Sequence, residues 1–504
     1  MQFISDVHRL TDWAKFGWEL KKEAKGSGLN PSSISQKTQE RMTHKGLMRK
    51  VLQIKSMREN QGGLASELLD AFTGFTPEQV QSQLLKNGLG KLLDLQGWGE
   101  TPKIASLSEV HQLQGLSGEA LAVKMLFPEV EEELRQDSRL MSKALGLFEN
   151  FGKGFPVKKY EEFLSEEFLK ELDLKREFAH QLRFWEHFQS NPKIRVPKPI
   201  EVGAKGSVLV SQYLSSMTLA EFIEVADQNL LRKASDLVSQ FYWQCFFELN
   251  LLHCDPNPGN FGFKILGKEV QLVIYDFGSV YEWPKTKANA LLKWLLLAQK
   301  GDRSVVDPLK AIGFEQALIE PLQAKLPALS HILWEPLLLQ GRYNLKSWNR
   351  KGRIMDLLGE KRWNFMASAA PSVFPAMRAL AGWFYYCENL SGDLFLGPLL
   401  QNTRQACLPN WQPEQEPNCQ SGMEMAKSLH VEVFRDEKKT VALDLPFYAV
   451  EKLEDFIDPD TYSQIKQNGI DLNKLIHSVR EDGYRAKQLF LWEEGTKKVE
   501  VSLR

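Results

Sequence analysis

The chain has 504 residues, 43% of them apolar, and a formal net charge of −1. That is enough to bury a sizeable core and to divide into roughly two to four domains, and the balanced charge argues against a nucleic-acid partner. Five scattered cysteines, Cys245, Cys254, Cys387, Cys407 and Cys419, form no C-x-x-C pair, which speaks against a disulfide framework or a zinc site and for a reducing, cytoplasmic setting.

Residues 2–25 place Phe3, Val7, Leu10 and Ala14 at helical intervals, with an overlapping stripe of Ile4, Trp13, Phe16 and Leu20 among Lys15, Lys21 and Lys22. Such an amphipathic helix suits peripheral contact with a membrane, although stripes of this kind more often pack on their own protein. Residues 1–60 carry twice as many Lys/Arg as Asp/Glu, a local excess suited to an acidic surface. No charged start followed by an apolar run marks a secretory leader, and Ala290–Ala298, interrupted by Lys293, is too short to span a bilayer. After the turn-rich break Gly26–Ser35, a second helix carries Leu47–Ile54. On composition alone its Lys50 and Gln53 are two residues of a solvated face. Thr76-Pro77-Glu78 opens a third helix, with Thr as N-cap and Pro in the first turn.

From Lys103 the period becomes extended. Glu109–Leu113 and Ala120–Met125 flank Gly115-Leu116-Ser117-Gly118 and read as a hairpin. Its second strand sets Lys124 among apolar neighbours, where a lysine either pairs with a phosphate or carboxylate or lies on an edge facing solvent. Residues 129–190 are acidic and helical and include Glu171-Leu172-Asp173 and Glu177, of which 173 and 177 share a face. Arg195–Pro199 is a loop, and Val208–Leu214 is an apolar strand ending in a polar connector at Gln212, Tyr213 and Leu214. Strand lysine, helix glutamate, strand and connector follow one another as in a kinase N-lobe.

The stretch Leu252–Ser279 concentrates the chemistry. His253-Cys254-Asp255 ends an apolar helical run, Asn260 lies five residues after Asp255, and Asp276-Phe277-Gly278 follows a hairpin turned at Gly267-Lys268. Phosphoryl transfer needs a carboxylate beside the attacking oxygen, an amide oxygen on one Mg²⁺ and a second carboxylate joining metal to phosphates. Asp255, Asn260 and Asp276 match that set in order. Asp255–Asn260 alone could be an ordinary turn, given its Asp, Pro, Asn and Gly content; the second motif at hairpin distance favours the site.

Beyond Gly278 the sequence passes quickly into a helix, Lys285–Gln299, with no Ala-Pro-Glu motif and no long activation segment. The platform on which a protein kinase lays its peptide is thus missing, which argues against a protein substrate. Residues 301–400 continue helical and aromatic, Leu408–Ser421 reads as a linker, and strand-like Val431–Asp444 and Lys487–Val501 enclose helical Pro446–Glu481.

Together these motifs resemble the UbiB-like atypical kinases, also called the aarF-domain-containing or ADCK family, over roughly residues 40–400. HCDPNPGN is similar to the family's HxDPHPGN loop, YDFG to its metal motif, LAVK to its nucleotide lysine and ELDLKRE to its E-x-D helix. The resemblance implies Lys124 on the ATP phosphates paired with Glu177, and Asp255, Asn260 and Asp276 at the Mg²⁺ ions. It also implies nucleotide contacts from Ala105, Ser106 and the connector Gln212–Leu214, and a cover over the active site in which Lys50 and Gln53 meet Glu171 and Asp173. Four positions depart from the pattern: Leu52 replaces the cover's glycine, Asn257 replaces the second histidine, Ser108-Glu109 replace Gly-Gln, and the alanine-rich loop is reduced to Lys103–Ser106.

The expected fold is α+β, a protein-kinase-like two-lobed fold with a helical N-terminal extension (1–100), an N-lobe (101–215), a helical C-lobe (216–405), a linker (406–425) and a small separate α+β module (426–504). The expected function, as the resemblance implies it, is a MgATP-binding ATPase or kinase tied to ubiquinone or other isoprenoid-lipid metabolism, with lipids or lipid-pathway enzymes as partners. The alternatives are a phosphotransferase of the aminoglycoside or choline kinase type, and a nucleotide-gated scaffold with negligible turnover.

Overall fold

A computed structural model describes residues 75–98, 102–127 except 105 and 106, 163–411 and 426–504, with scattered positions left out of the last two ranges. The expected helix at 2–25, Lys50, Gln53, Ala105 and Ser106 lie outside the described residues. The chain divides into two compact units, one of residues 1–245, 251–282 and 375–386, the other of residues 246–250, 283–374 and 387–504.

The first unit is built on a six-stranded antiparallel sheet. Its strands are β1 (Leu93–Trp98), β2 (Lys103–Ile104), β3 (Ser108–Gly115), β4 (Ala120–Leu126), β6 (Pro199–Val202) and β7 (Val208–Gln212), in the order β1-β3-β4-β7-β6 with β2 on β3. Helix α1 (Pro77–Lys86) starts where the sequence predicts. Thr76 accepts from the Gln79 amide while the Gln79 side chain returns to the Thr76 amide, which satisfies two donors that the first turn leaves over. Val80 and Leu84 of α1 join Leu93, Leu113, Leu121, Val123 and Val210 in one core. The segment 75–98 therefore belongs to the sheet rather than to a covering extension, because its apolar positions complete that core.

Strand alternation fixes the site lysine. Leu121, Val123 and Met125 are buried in the sheet core, so Lys124 points to the opposite side. There it meets helix α2 (Leu174–Phe188), whose buried residues Glu177, Gln181, Phe184 and Phe188 recur at helical spacing.

After helices α3 (Leu219–Val225) and α4 (Gln228–Gln244), two short antiparallel pairs frame the candidate site. One joins β8 (Leu251–His253) to β11 (Val280–Glu282), the other β9 (Phe261–Leu266) to β10 (Glu269–Ile274). The β9–β10 hairpin turns at Gly267, whose φ of 62° is the left-handed value that such a two-residue turn demands. β10 also pairs in parallel with β5 (Ile194–Arg195).

The second unit packs helices Lys285–Lys300 and Leu326–Leu338 through Trp294, whose indole nitrogen donates to Ser330 and whose ring meets Trp334 edge-on. The C-terminal strands Ser428–Arg435, Lys438–Pro446, Lys487–Glu494 and Lys497–Leu503 form a four-stranded antiparallel sheet, each of the two strand-like stretches of the sequence holding two strands, with helices Pro459–Gln467 and Leu472–Glu481 between them. This module is not separate from the C-lobe helices. The His331 ring lies against Phe447 (centroids 4.6 Å apart), Phe447 against Tyr484, and helix Leu472–Glu481 against helix Arg350–Leu358. Aromatic burial joins what the polar linker composition suggested was independent.

Candidate active site

The two strand pairs explain how residues far apart in sequence meet. In the hairpin Ile274 pairs with Phe261, so Asn260, just before β9, lies beside Tyr275, just after β10; the Tyr275 amide donates to the Asn260 carbonyl (3.0 Å). In the other pair Val280 faces His253, and the Cys254 amide donates to the Ser279 carbonyl (3.0 Å). The loop Asp255–Asn260 and the turn Asp276–Ser279 are thereby closed at both ends.

Within that frame the Lys124 ammonium donates to both Glu177 oxygens (2.7 and 2.9 Å) and to Asp276 Oδ2 (3.1 Å). Burial alone would push the lysine down, but the carboxylates of Asp276 and Glu177 outweigh it and hold the ammonium above its ordinary value. Burial pushes the Glu177 carboxyl up, against the pull of Lys124. The side chain of Glu177 is 2% exposed and that of Asp276 29%, so Asp276 is the acid a ligand can reach. Its Oδ1 accepts from the Gly278 amide (2.8 Å), which forms the tight turn after Phe277.

Asp255 and Asn260 are both buried, and the Asn260 amide nitrogen donates to Asp255 Oδ2 (3.1 Å). With the nitrogen so engaged, Oδ1 is the Asn260 atom suited to a cation. The loop is also the turn its composition suggested: Asn257 accepts from the Gly259 amide and caps the short 3₁₀ turn Pro258–Asn260. Burial pushes the His253 ring below its ordinary range, so the imidazole is neutral, and Nε2 donates to the Asp276 carbonyl (2.5 Å).

Helix α2 grips the Asp276–Ser279 turn at several points. Phe184 packs on Phe277 (5.0 Å), Arg176 donates to the Val280 carbonyl (2.7 Å), and Glu171, just before the helix, accepts from the Ser279 hydroxyl. Asp173 is the N-cap of α2, accepting from the Lys175 and Arg176 amides. An aspartate directly before a helix's first buried apolar residue, here Leu174, is a legible cap signal, and Arg176 and Ser279 were not singled out by any motif. The connector is anchored by backbone: the Gln212 amide donates to Lys198, the Tyr213 amide to Ala120, and the Leu214 carbonyl accepts from the Tyr275 hydroxyl (2.8 Å). Glu109, at a departure position, is buried and accepts from the Phe75 amide (2.7 Å), which ties the start of α1 to the sheet.

Lys124, Glu177 and Asp276 thus meet, as do Asp255 and Asn260. Glu171 contacts the turn and Asp173 caps the helix beside it, and the connector follows interior strand β7, with its Leu214 carbonyl held by Tyr275 next to Asp276.

Comparison with known proteins gives the same assignment. Residues 68–309 match the ABC1 atypical kinase-like domain. The chain is 24% identical over 402 residues to the mitochondrial atypical kinase COQ8B of Rattus norvegicus, covering 77% of this chain and 75% of that one. It is 31% identical over 183 residues to a probable protein kinase UbiB of Marinobacter nauticus, covering 35% and 33%. A solved structure, Rv3197 of Mycobacterium tuberculosis in complex with erythromycin, aligns with 79% of this chain and all of that one at 19% identity and a TM-score of 0.49. Residues 68–309 therefore match the ABC1 atypical kinase-like domain, and the chain is similar to atypical kinases of the UbiB and COQ8 type.

Proposed function

We propose that the protein binds ATP with Mg²⁺ and hydrolyses or transfers its terminal phosphate, acting in isoprenoid-lipid metabolism of the ubiquinone type rather than on proteins. The observation that carries this reading is the Lys124 ammonium bonded at once to buried Glu177 and half-open Asp276. A lysine held charged beside an accessible carboxylate is what a triphosphate and its metal require. Lys124 takes the phosphates, Glu177 positions Lys124, Asp255 accepts the proton of the attacking oxygen, and Gln212, Tyr213 and Leu214 border the base.

The residues fit a magnesium ion. Asp276 and Asn260 offer a hard carboxylate and an amide oxygen, and a metal that keeps several waters and phosphate oxygens needs few protein ligands. Among the described residues no group of three His, Cys, Asp or Glu could hold a metal by itself, in keeping with a site completed by nucleotide. When bound, the ion supplies charge neutralisation at the phosphates.

The short path after the turn supports this substrate class. Strand β11 begins at Val280 and helix Lys285–Lys300 only a few residues later, which leaves no room for a peptide platform. Among the described residues no helix is long and apolar enough to cross a membrane. An isoprenoid lipid would be reached by peripheral contact, for which the amphipathic basic segment before residue 60 is suited. The reading is tested with Asp276→Asn. Wild type should gain thermal stability with MgATP, by about 2.7 kcal/mol at a hundredfold excess over Kd, and the variant should lose most of that gain. Full MgATP stabilisation in Asp276→Asn, or robust phosphorylation of generic protein substrates by wild type, would overturn it.

A further inference from the structure

Helix Phe374–Leu390 lies beyond residue 309, where the family match ends, yet its residues 375–386 group with the unit that holds the candidate site. Four of its positions meet four consecutive loop residues in order. The Pro375 carbonyl accepts from the Cys254 thiol (3.4 Å), Arg378 Nη2 stands 3.7 Å from Asp255 Oδ1, Gly382 faces Pro256, and the Tyr386 hydroxyl donates to the Asn257 carbonyl (2.9 Å). Positions 375, 378, 382 and 386 fall three, four and four apart, which places them on one face of a helix.

The fit tolerates little change. A Cβ on Gly382 would fall 2.5 Å from Pro256 Cβ and 2.8 Å from the Tyr242 hydroxyl, so only glycine lets the loop come this close. Next to it Trp383 stacks on Tyr242 and donates to Ser239 (3.0 Å), which fastens the helix to α4.

We propose that this helix sets the geometry of the Asp255–Asn260 loop and that Arg378 is the positioning residue for the Asp255 carboxylate. Asp255 is buried, and a buried carboxylate needs a compensating charge. Between Asp255 and Asn260 the sequence carries no basic side chain, so the cation arrives from another element. At 3.7 Å the guanidinium acts as a neighbouring charge and not as a hydrogen-bond donor. It lies at Oδ1 while Asn260 holds Oδ2, so the carboxylate is oriented from both oxygens. If Asn260 turns toward a metal, Arg378 and the helix keep Asp255 aimed.

The inference rests on the reading of Asp255 as the proton acceptor, and its test separates the two. Arg378→Met, Arg378→Lys and Tyr386→Phe are compared with wild type in the full chain by MgATP thermal shift, ATP turnover and amide hydrogen exchange over residues 252–262. Arg378→Met should lower kcat about tenfold or more with KM and MgATP stabilisation within about twofold of wild type, since a misaimed acceptor harms the step rather than binding. Arg378→Lys should recover part of kcat, and exchange in 252–262 should rise in Arg378→Met and Tyr386→Phe only locally. Unchanged kcat, or a kcat loss that merely follows lost nucleotide affinity and global melting, overturns the proposal. If wild type itself neither binds nor turns over MgATP, the functional reading fails, and exchange alone decides: local loosening supports positioning, and unchanged exchange overturns it. Should Arg378→Met fail to fold, Arg378→Lys and Tyr386→Phe decide by the same criteria.

Discussion

Each unit contains a buried acid–base pair, and the two differ in their third partner. In the first, Lys124 (side chain 16% exposed) bonds Glu177 (2%) and reaches out to Asp276 (29%). In the second, Arg353 (9%) bonds Glu335 (6%), and the third member is the buried Tyr343, whose hydroxyl donates to Glu335 Oε1 (3.2 Å). Burial first, then the Glu335 charge, pushes the Tyr343 phenol well up, so it serves as a fixed donor. A buried ion pair is thus no sign of chemistry by itself. The partly exposed third carboxylate makes the first pair the candidate place for a ligand, and the buried tyrosine fits a structural role for the second.

The largest effects come from breaking each pair on one side. Arg353→Ala leaves the Glu335 carboxylate buried without its cation, which should cost roughly 3–5 kcal/mol of stability. Denaturant unfolding should show that loss while the MgATP thermal shift per bound nucleotide stays as in wild type. Lys124→Met strands Glu177 in the same way and should cost both stability and nucleotide binding. Equal damage to nucleotide binding by the two variants would erase the distinction between the pairs.

What the sequence made legible follows the range of the interaction. The capping box at Thr76, the alternation around Lys124 and the turn at Gly267 are local, and each shows in a few neighbouring residues. That Asn260 and Asp276 lie near opposite ends of one hairpin was readable, because that hairpin is itself a local feature. Arg378 and Tyr386 were not, since the Tyr386–Asn257 bond joins residues 129 positions apart and nothing near Arg378 distinguishes it from a surface arginine. Arg353 and Glu335 lie 18 apart on different helices, outside any helical or strand period. Asp173 caps helix α2, a role that no motif had assigned to it. The C-terminal sheet was visible as two strand-like stretches, whereas its attachment through His331 and Phe447 depends on aromatic contacts that no spacing encodes.

His331 gives a pH test confined to the second unit. Burial first, then the Arg353 guanidinium, pushes the ring down to about 4, and its Nδ1 lies 3.4 Å from the Ala298 carbonyl. A base depressed in the folded state contributes stability above its unfolded value near 6.5, and that contribution is lost as pH falls toward about 4. Between pH 7 and 5 the loss should be about 2 kcal/mol. Hydrogen exchange in the helix Leu326–Leu338 would read it, and His331→Gln should flatten the slope by that amount. His180, pushed down to about 4 by burial and then by Arg176 and Arg183, adds a loss of the same sign in the first unit and should persist in the variant. An unaltered slope in His331→Gln would mean that the ring is not held neutral.

The smallest effect is the most discriminating. Replacing both members of a buried pair removes attraction and desolvation together, so stability should barely change when shape and remaining hydrogen bonds are kept. Arg353→Met with Glu335→Gln meets that condition, because the glutamine oxygen still accepts from Tyr343. It should stay within about 1 kcal/mol of wild type and restore most of what Arg353→Ala loses. Lys124→Met with Glu177→Gln should likewise recover stability relative to Lys124→Met, yet it should not recover the MgATP thermal shift, because the Lys124 ammonium that shares the phosphates with Asp276 is gone. Recovery of stability by both double variants, with the MgATP response lost only in the Lys124/Glu177 variant, would leave the contrast intact. Recovery of the MgATP response in the Lys124/Glu177 double variant would show that the open carboxylate works without its lysine, and the first pair would then be as purely structural as the second.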